Sequence, residues 1–291
     1  MKRVGIVTDS HGGISLAEAE KLGVKVVPMP FYFGDDCYYE GVSISREEFF
    51  GRLNNGENVS TSQPSPEAVM KAWSEALTEY EKVLYMPISS GLSGSCNTAR
   101  MLAAEEEFEG KVFVVDNGRV ATPMHRSILD ALELIEEGFS AEETKIMLET
   151  SGNKMSIYIA VETLEHLKKG GRITPATAAI GTVLNIKPIL KLNTGVLETY
   201  KKSRGMKKAR QEMLDAMKHD FDVTFKEYAD KGEIYLMAAS SADEATTQEW
   251  VEEIKAYFPG MEVMCDNLTL GISCHTGEGG LGIGCSCRPK R

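Results

Sequence analysis

Hydroxyl side chains gather at three places: Thr8-Asp9-Ser10, Thr61-Ser62-Gln63-Pro64-Ser65 and Ser89-Ser90-Gly91-Leu92-Ser93-Gly94-Ser95. The first and third follow short apolar runs, and the second precedes a helix start. A glycine-rich loop that opens a helix presents unpaired backbone N–H groups and the positive end of the helix dipole. Hydroxyls there add neutral donors. Such donors, with neither a base nor a metal beside them, suit holding an anion better than cleaving a bond. Ser and Thr are also common helix caps, so one such loop alone reads as a cap. Three of them at the carboxyl ends of strands in one parallel sheet read as a binding site.

Two catalytic chemistries fit parts of the same pattern. Gly91-Leu92-Ser93-Gly94-Ser95 nearly matches the nucleophile elbow G-x-S-x-G, with Ser95 in place of the last glycine. A serine esterase or thioesterase using Ser93 would also need a histidine base and an acid. Of the five histidines, His11 and His125 follow strands, and His275 lies in a turn ahead of the last strand. His166 and His219 sit in helical patterns among charged neighbours and read as surface residues. A phosphorelay module carrying phosphate on His11 or His275 is the other alternative.

The second half carries a charge contrast. Between Lys168 and Lys208 there are ten basic residues and one acid, Glu198. That stretch carries +9 and the rest of the chain −20. It reads either as a solvated face or as a docking surface for a phosphate or an acidic partner. It lacks interleaved aromatics and any nucleic-acid recognition motif, so nucleic acid is not an expected partner. Within it, Ile173-Thr174-Pro175 opens an apolar, small-residue run to position 190. This run either packs in a core or lines an apolar tunnel. A tunnel beside the hydroxyls would suit a carboxylate with an aliphatic tail, each buried CH₂ contributing about 0.8 kcal/mol.

The elements that must position these residues alternate in the first half. Strands are expected at 3–8, 24–28, 82–88 and 111–115, with helices at 14–22, after Ser45, after Ser65-Pro66 and at 96–107. Two more helices follow the last of these strands. Ser45-Arg46-Glu47-Glu48 and Ser140-Ala141-Glu142-Glu143 have the form of capping boxes. Strands separated by helices imply a parallel sheet with helices on both faces. From 156 the pattern changes. Strands are expected at 156–161, 187–192, 196–200, 233–240, 262–266 and 282–287, with helices at 163–169, 174–184 and 205–231. Asn193-Thr194-Gly195 is a hairpin signal. The expectation is an α/β protein of two domains. Residues 1–155 form a three-layer α/β/α domain with a parallel sheet, and 156–291 a two-layer α/β domain with a mixed sheet.

Composition agrees with two cores. The chain has 291 residues, 42% hydrophobic and 26% charged, a globular balance. The net charge of −11 disfavours non-specific binding to nucleic acid or anionic lipid. No apolar run approaches the roughly 18 residues of a membrane span. The apolar run at 4–7 is too short for a signal sequence. A cytoplasmic protein without stable membrane insertion is expected. The six cysteines are too sparse for a disulfide scaffold, and Cys285-Ser-Cys287 lacks the two-residue spacer of zinc or redox pairs, so they read as buried thiols. No metal and no cofactor are expected.

Taken in order, these motifs resemble the DegV family of bacterial fatty-acid-binding proteins. Lys169-Gly170-Gly171-Arg172-Ile173 and His275-Thr276-Gly277-x-Gly279 complete the ordered set, which spans essentially the whole chain. The resemblance implies the two-domain architecture above, with one long-chain fatty acid between the domains. It implies no catalysis by this chain alone. It also implies a role as acyl-carrier subunit of a bacterial fatty acid kinase, whose separate ATP-binding subunit makes acyl phosphate for phospholipid synthesis. By motif position, Thr61 and Ser93 should bond the carboxylate, with Ser62 and Gly94 beside it and His275 and Thr276 near the head group. Arg172 and Arg204 should face the phosphate or the kinase subunit. One segment departs from the family pattern. After Asp116, where a serine and a Ser-Met-Gly-containing helix start are usual, this chain reads Asn117-Gly118-Arg119-Val120-Ala121-Thr122-Pro123-Met124-His125.

Overall fold

Alternation along the first strand already assigns two faces. In β1 (Lys2–Asp9), Val4 and Ile6 join one buried cluster and Val7 another. Successive strand side chains point to opposite faces, so both sides of this strand are covered. The structure is a computed structural model and describes residues 2–179, 186–193 and 195–290.

In chain order, α1 (Leu16–Leu22) follows, capped by Ser15, and then β2 (Val24–Val27). The chain next forms β3 (Phe31–Phe33), β4 (Asp36–Tyr38), α2 (Arg46–Asn54) and β5 (Val59–Thr61). It continues through α3 (Pro66–Leu77), β6 (Tyr80–Met86), α4 (Ser95–Ala103), β7 (Val112–Val114), α5 (Ala121–Glu136) and α6 (Ala141–Thr150). The sequence cues operate as physical caps. Ser65 Oγ accepts from Ala68 N with Pro66 at the first helical position, and Ser140 with Glu143 forms a complete capping box. Ser45 Oγ accepts from Glu48 N at the start of α2.

Contacts divide the chain into two units. The first comprises Met1–Pro30, Ser62–Asn153 and Pro289–Arg291. Its sheet runs β2-β1-β6-β7, all parallel. Val69 and Trp73 of α3 and Cys96 and Ala99 of α4 pack with Val7, Val83 and Tyr85. Ile128 and Ala131 of α5 and Leu148 of α6 pack with Ile6, Leu84 and Met86. These are the three expected layers.

The second unit comprises Phe31–Thr61 and Lys154–Arg288. Its later elements are β8 (Met155–Ala160), α7 (Glu165–Gly170), α8 (Pro175–Ala178), β9 (Ile186–Asn193), β10 (Val196–Arg204), α9 (Met206–His219) and α10 (Lys226–Asp230). Then come β11 (Ile234–Ser240), α11 (Glu244–Tyr257), β12 (Val263–Asn267), α12 (Leu270–Thr276) and β13 (Leu281–Cys287). The sheet order is β10-β9-β8-β13-β11-β12, antiparallel except for the parallel pair β11–β12. Met213 and Met217 of α9 and Trp250 and Ile254 of α11 pack on Tyr158, Leu236 and Ile283 of the sheet. This is the mixed-sheet layer pair expected from the sequence.

Several expectations need correction. Residues 31–61, expected within the 1–155 domain, belong to the second unit. Phe31, Phe33, Phe49, Phe50 and Leu53 bury themselves with Leu270 and Cys274, over 200 residues away. Arg46 Nη1 donates to Leu268 O at 2.9 Å and Leu270 N donates to Glu40 Oε2 at 2.8 Å, fastening the segment there. The helix expected over 205–231 is interrupted by a π turn at Asp220–Thr224, where Asp220 accepts from Tyr158 and Thr224. Of the helix expected over 174–184, Pro175–Ala178 is helical and residues 180–185 lie outside those described, as does Thr194 of the expected hairpin turn. The strands β3, β4 and β5 and the helices α11 and α12 are not among the elements expected from the sequence. Cys37 is exposed and Cys265 half-buried, whereas the other four thiols are buried as expected. Among the described residues, no helix is long and apolar enough to cross a membrane.

Candidate ligand-binding site

In the second unit, Thr61 ends β5 opposite Phe31, and His275 sits in the last turn of α12 rather than in a loop. Their side chains meet: Thr61 Oγ1 and His275 Nε2 are 3.0 Å apart. Both are half-buried. The imidazole lies directly over Gly170 at the end of α7, where an added Cβ would fall 1.9 Å from Nδ1. A cleft of about 350 Å³ opens beside the pair, lined also by Ser60, His166, Lys169 and Arg172. Thr276 is buried and its Oγ1 contacts Gly277 O at 3.3 Å, so its hydroxyl serves the end of its own helix. Arg172 is half-buried and turns its Nη1 onto Gly170 O, while Arg204 is exposed at the end of β10.

His166, read as a surface residue, is half-buried in α7 and also lines this cleft. Burial, with Lys169 nearby, holds its imidazole below the ordinary histidine range. Its position four residues before Gly170 was the available signal, since that spacing shares a helix face.

The other candidate donors belong to the first unit. Ser62, Ser93 and Gly94 are exposed or half-buried. Ser93 Oγ accepts from Ser95 N, and Ser93 N donates to Ser89 O, which sets the turn into α4. Gly94 is the N-cap of α4 and supplies no side-chain cap. Ser95 N is taken by Ser93 Oγ, and by helix geometry the N–H groups of Cys96 and Asn97 after it have no acceptor within the helix. Ser95 Oγ is buried without a partner at the same helix start. Gln63 ties the second motif to this loop, because its Oε1 accepts from Thr98 Oγ1 at 3.1 Å and lies beside Gly94. Neutral donors are thus concentrated at the start of α4.

Thr8-Asp9-Ser10 braces the loop from beneath. Thr8 Oγ1 donates to Met86 O at 2.8 Å, and the fully buried Asp9 accepts from Ile88 N at 2.7 Å and His11 N at 2.9 Å. Burial raises the Asp9 carboxyl to about 6 despite both bonds. The folded protein therefore holds this proton more tightly than the unfolded chain, whose value is 3.8. Asp9 should lower the unfolding free energy by about 3 kcal/mol in all as pH rises from about 3 to about 7, roughly 2 kcal/mol of it between pH 4 and 6. Urea unfolding across pH 4–7 should show the difference between wild type and Asp9→Asn shrinking over that interval. A pH-independent difference would refute the assignment.

The departing segment 117–125 is not part of an open site. Arg119, Thr122 and His125 are buried, and Ser89 N donates to Arg119 O at 3.0 Å. The Arg119 guanidinium donates to Ser127 Oγ at 2.7 Å and Ser151 O at 3.1 Å, and it faces Asp130 at 3.9 Å. The segment is thus an internal brace for the Ser89–Ser95 loop.

Comparison with known proteins gives one consistent result. The sequence model of the DegV family, a family of uncharacterised proteins, matches residues 3–287. A DegV domain-containing protein of Deinococcus radiodurans is 35% identical over 213 residues, covering 73% of this chain and 75% of that protein. The fatty-acid-binding DegV family protein of Thermus thermophilus superposes with a TM-score of 0.87 at 35% identity, over 98% of this chain and 99% of that one. DegV of Bacillus subtilis, a fatty acid binding protein, superposes at 0.83 with 27% identity, over 99% and 100% of the two chains. A stearic-acid-binding protein of Eubacterium ventriosum, 24% identical over 98% of each chain, shares the fold at 0.87. On the near-complete match and this similarity, the chain belongs to the DegV family.

Proposed function

We propose that this protein binds one long-chain fatty acid and carries it without chemistry of its own. The observation that carries this reading is the 3.0 Å contact of Thr61 with His275. With its proton on Nε2, the imidazole donates to Thr61 Oγ1 and turns the hydroxyl hydrogen outward, toward an acceptor such as a carboxylate. Ser62, Ser93 and Gly94 are the other head-group donors in this reading, supported by the Cys96 and Asn97 N–H groups of α4, and Thr276 supports His275 from the same helix end. The fatty-acid-binding relatives from Thermus thermophilus and Bacillus subtilis support the ligand class. The carrier presents its acid to a separate ATP-binding kinase subunit, with Arg172 and Arg204 on the docking side. The +9 stretch containing both arginines supports that role.

Mass spectrometry of gently purified, then extracted, protein should find a stoichiometric long-chain fatty acid. Thr61→Val should weaken palmitate binding about tenfold or more, the loss of one hydrogen bond to a charged group. Arg172→Ala and Arg204→Ala should keep palmitate affinity and impair acyl-phosphate formation with the kinase subunit. An empty protein that takes up no added palmitate would end the carrier reading.

A further inference from the structure

Two glycine motifs, over 100 residues apart in sequence, interlock through three side chains. His275 lies over Gly170, where a Cβ would come 1.9 Å from its Nδ1. In the opposite direction, His166 lies over Gly277, where a Cβ would come 2.8 Å from its Cδ2. Glu162 lies over Gly279, with a Cβ there 2.9 Å from its Cγ. His166 and Gly170, four residues apart, share one face of α7, and Glu162 lies in the segment just before that helix. Each histidine rests on the glycine belonging to the other's motif.

The contact on Gly277 is placed to control His275. Gly277 closes α12, its N–H donating to Ser273 O, with φ of 74° in the left-handed region that favours glycine. Its carbonyl accepts from Ser241 Oγ at 2.7 Å, and Ser241 Oγ in turn accepts from Gly280 N at 2.8 Å. The turn 277–280 is therefore pinned from one side by the fully buried Ser241 and covered by His166. His275 is two residues before that turn. His166 also stands in the wall between the cleft beside Thr61 and a second cleft of about 650 Å³.

We infer that His166 is a positioning residue for the head-group site: its ring holds the Gly277 turn, which keeps the His275 imidazole on Gly170 and within bonding distance of Thr61. The inference rests on the carrier reading for its functional consequence, but its structural part is measured without ligand. The His275 imidazole resonances, assigned with His275→Ala, are recorded on the delipidated full chain, and palmitate is titrated separately. His166→Ala should shift the His275 resonances and lower palmitate affinity about tenfold. His166→Phe, which restores a flat ring over Gly277, should recover both. Unchanged His275 resonances in His166→Ala, or no recovery with phenylalanine, would overturn the inference. Should the alanine variant unfold, His166→Gln takes its place with the same expected and overturning results. Failure of wild type to bind palmitate would count against the carrier reading instead, since the resonance comparison needs no ligand.

Discussion

Gly170→Ala is expected to lower palmitate affinity at least as far as His275→Ala does, by roughly 10- to 100-fold, the range for losing one charge-assisted hydrogen bond. The added methyl would sit 1.9 Å from His275 Nδ1 and 2.6 Å from Cε1, closer than atoms can approach. The ring can escape only by turning away, which breaks its contact with Thr61. Forcing such an overlap typically costs about 1–3 kcal/mol of stability. Gly170 lies in a helical segment and does not have a left-handed backbone, so alanine itself is acceptable there. Alanine is in fact the better helix former by about 1 kcal/mol. The two substitutions should therefore be strongly non-additive. Gly170→Ala/His275→Ala should bind palmitate no worse than His275→Ala alone and unfold at equal or higher urea concentration. Additive losses would mean that the glycine serves some purpose other than making room for the imidazole.

Arg119→Met should destabilise the protein by about 3 kcal/mol, the lower end of the range for breaking a buried ion pair. Arg119 and Asp130 are both buried, and burial raises the Asp130 carboxyl while Arg126 and Arg119 lower it. Methionine keeps much of the volume but leaves Ser127 Oγ and Ser151 O without that donor. Arg126 still pairs with Asp130 at 3.0 Å, which keeps the loss from being larger. Arg119→Met/Asp130→Asn should lose less than the sum of the single changes, because no buried charge then remains unmatched. Urea unfolding of the four proteins measures this. A loss under 1 kcal/mol for Arg119→Met would show that the guanidinium is dispensable to the loop it braces. Ala121, two residues on, enters α5 with φ of 52°, so this brace also includes a conformation uncommon outside glycine.

Local periodicity and capping were readable because they depend on residues a few positions apart. The apolar runs of β1 and β6, the Ser65-Pro66 start of α3 and the Ser140–Glu143 box each act within one helical turn or one strand. Strands separated by helices then leave a parallel sheet as the compact solution, and the hairpin pair β9–β10 marks the change to a mixed sheet. Hydroxyl-rich loops after β1 and β6 were legible for the same reason: their residue types and their place after a strand are both local.

The strand–helix alternation of the first half, the two sheet types and the donor-bearing loops are thus written in the sequence. Which distant segments share a core emerges in three dimensions alone. Phe31 to Thr61 follows β2 in the chain, yet its aromatic side chains have their apolar partners at Leu270 and Cys274. The pairing of Gly170 with His275 and of Gly277 with His166 is likewise invisible in either motif alone. Arg119 stands in a segment that departs from the family pattern, and only Ser127, Ser151 and Asp130, met in three dimensions, give it a place. Periodicity reports which face of an element is buried, whereas the identity of the burying partner depends on packing between residues far apart in the chain, which local periodicity does not record.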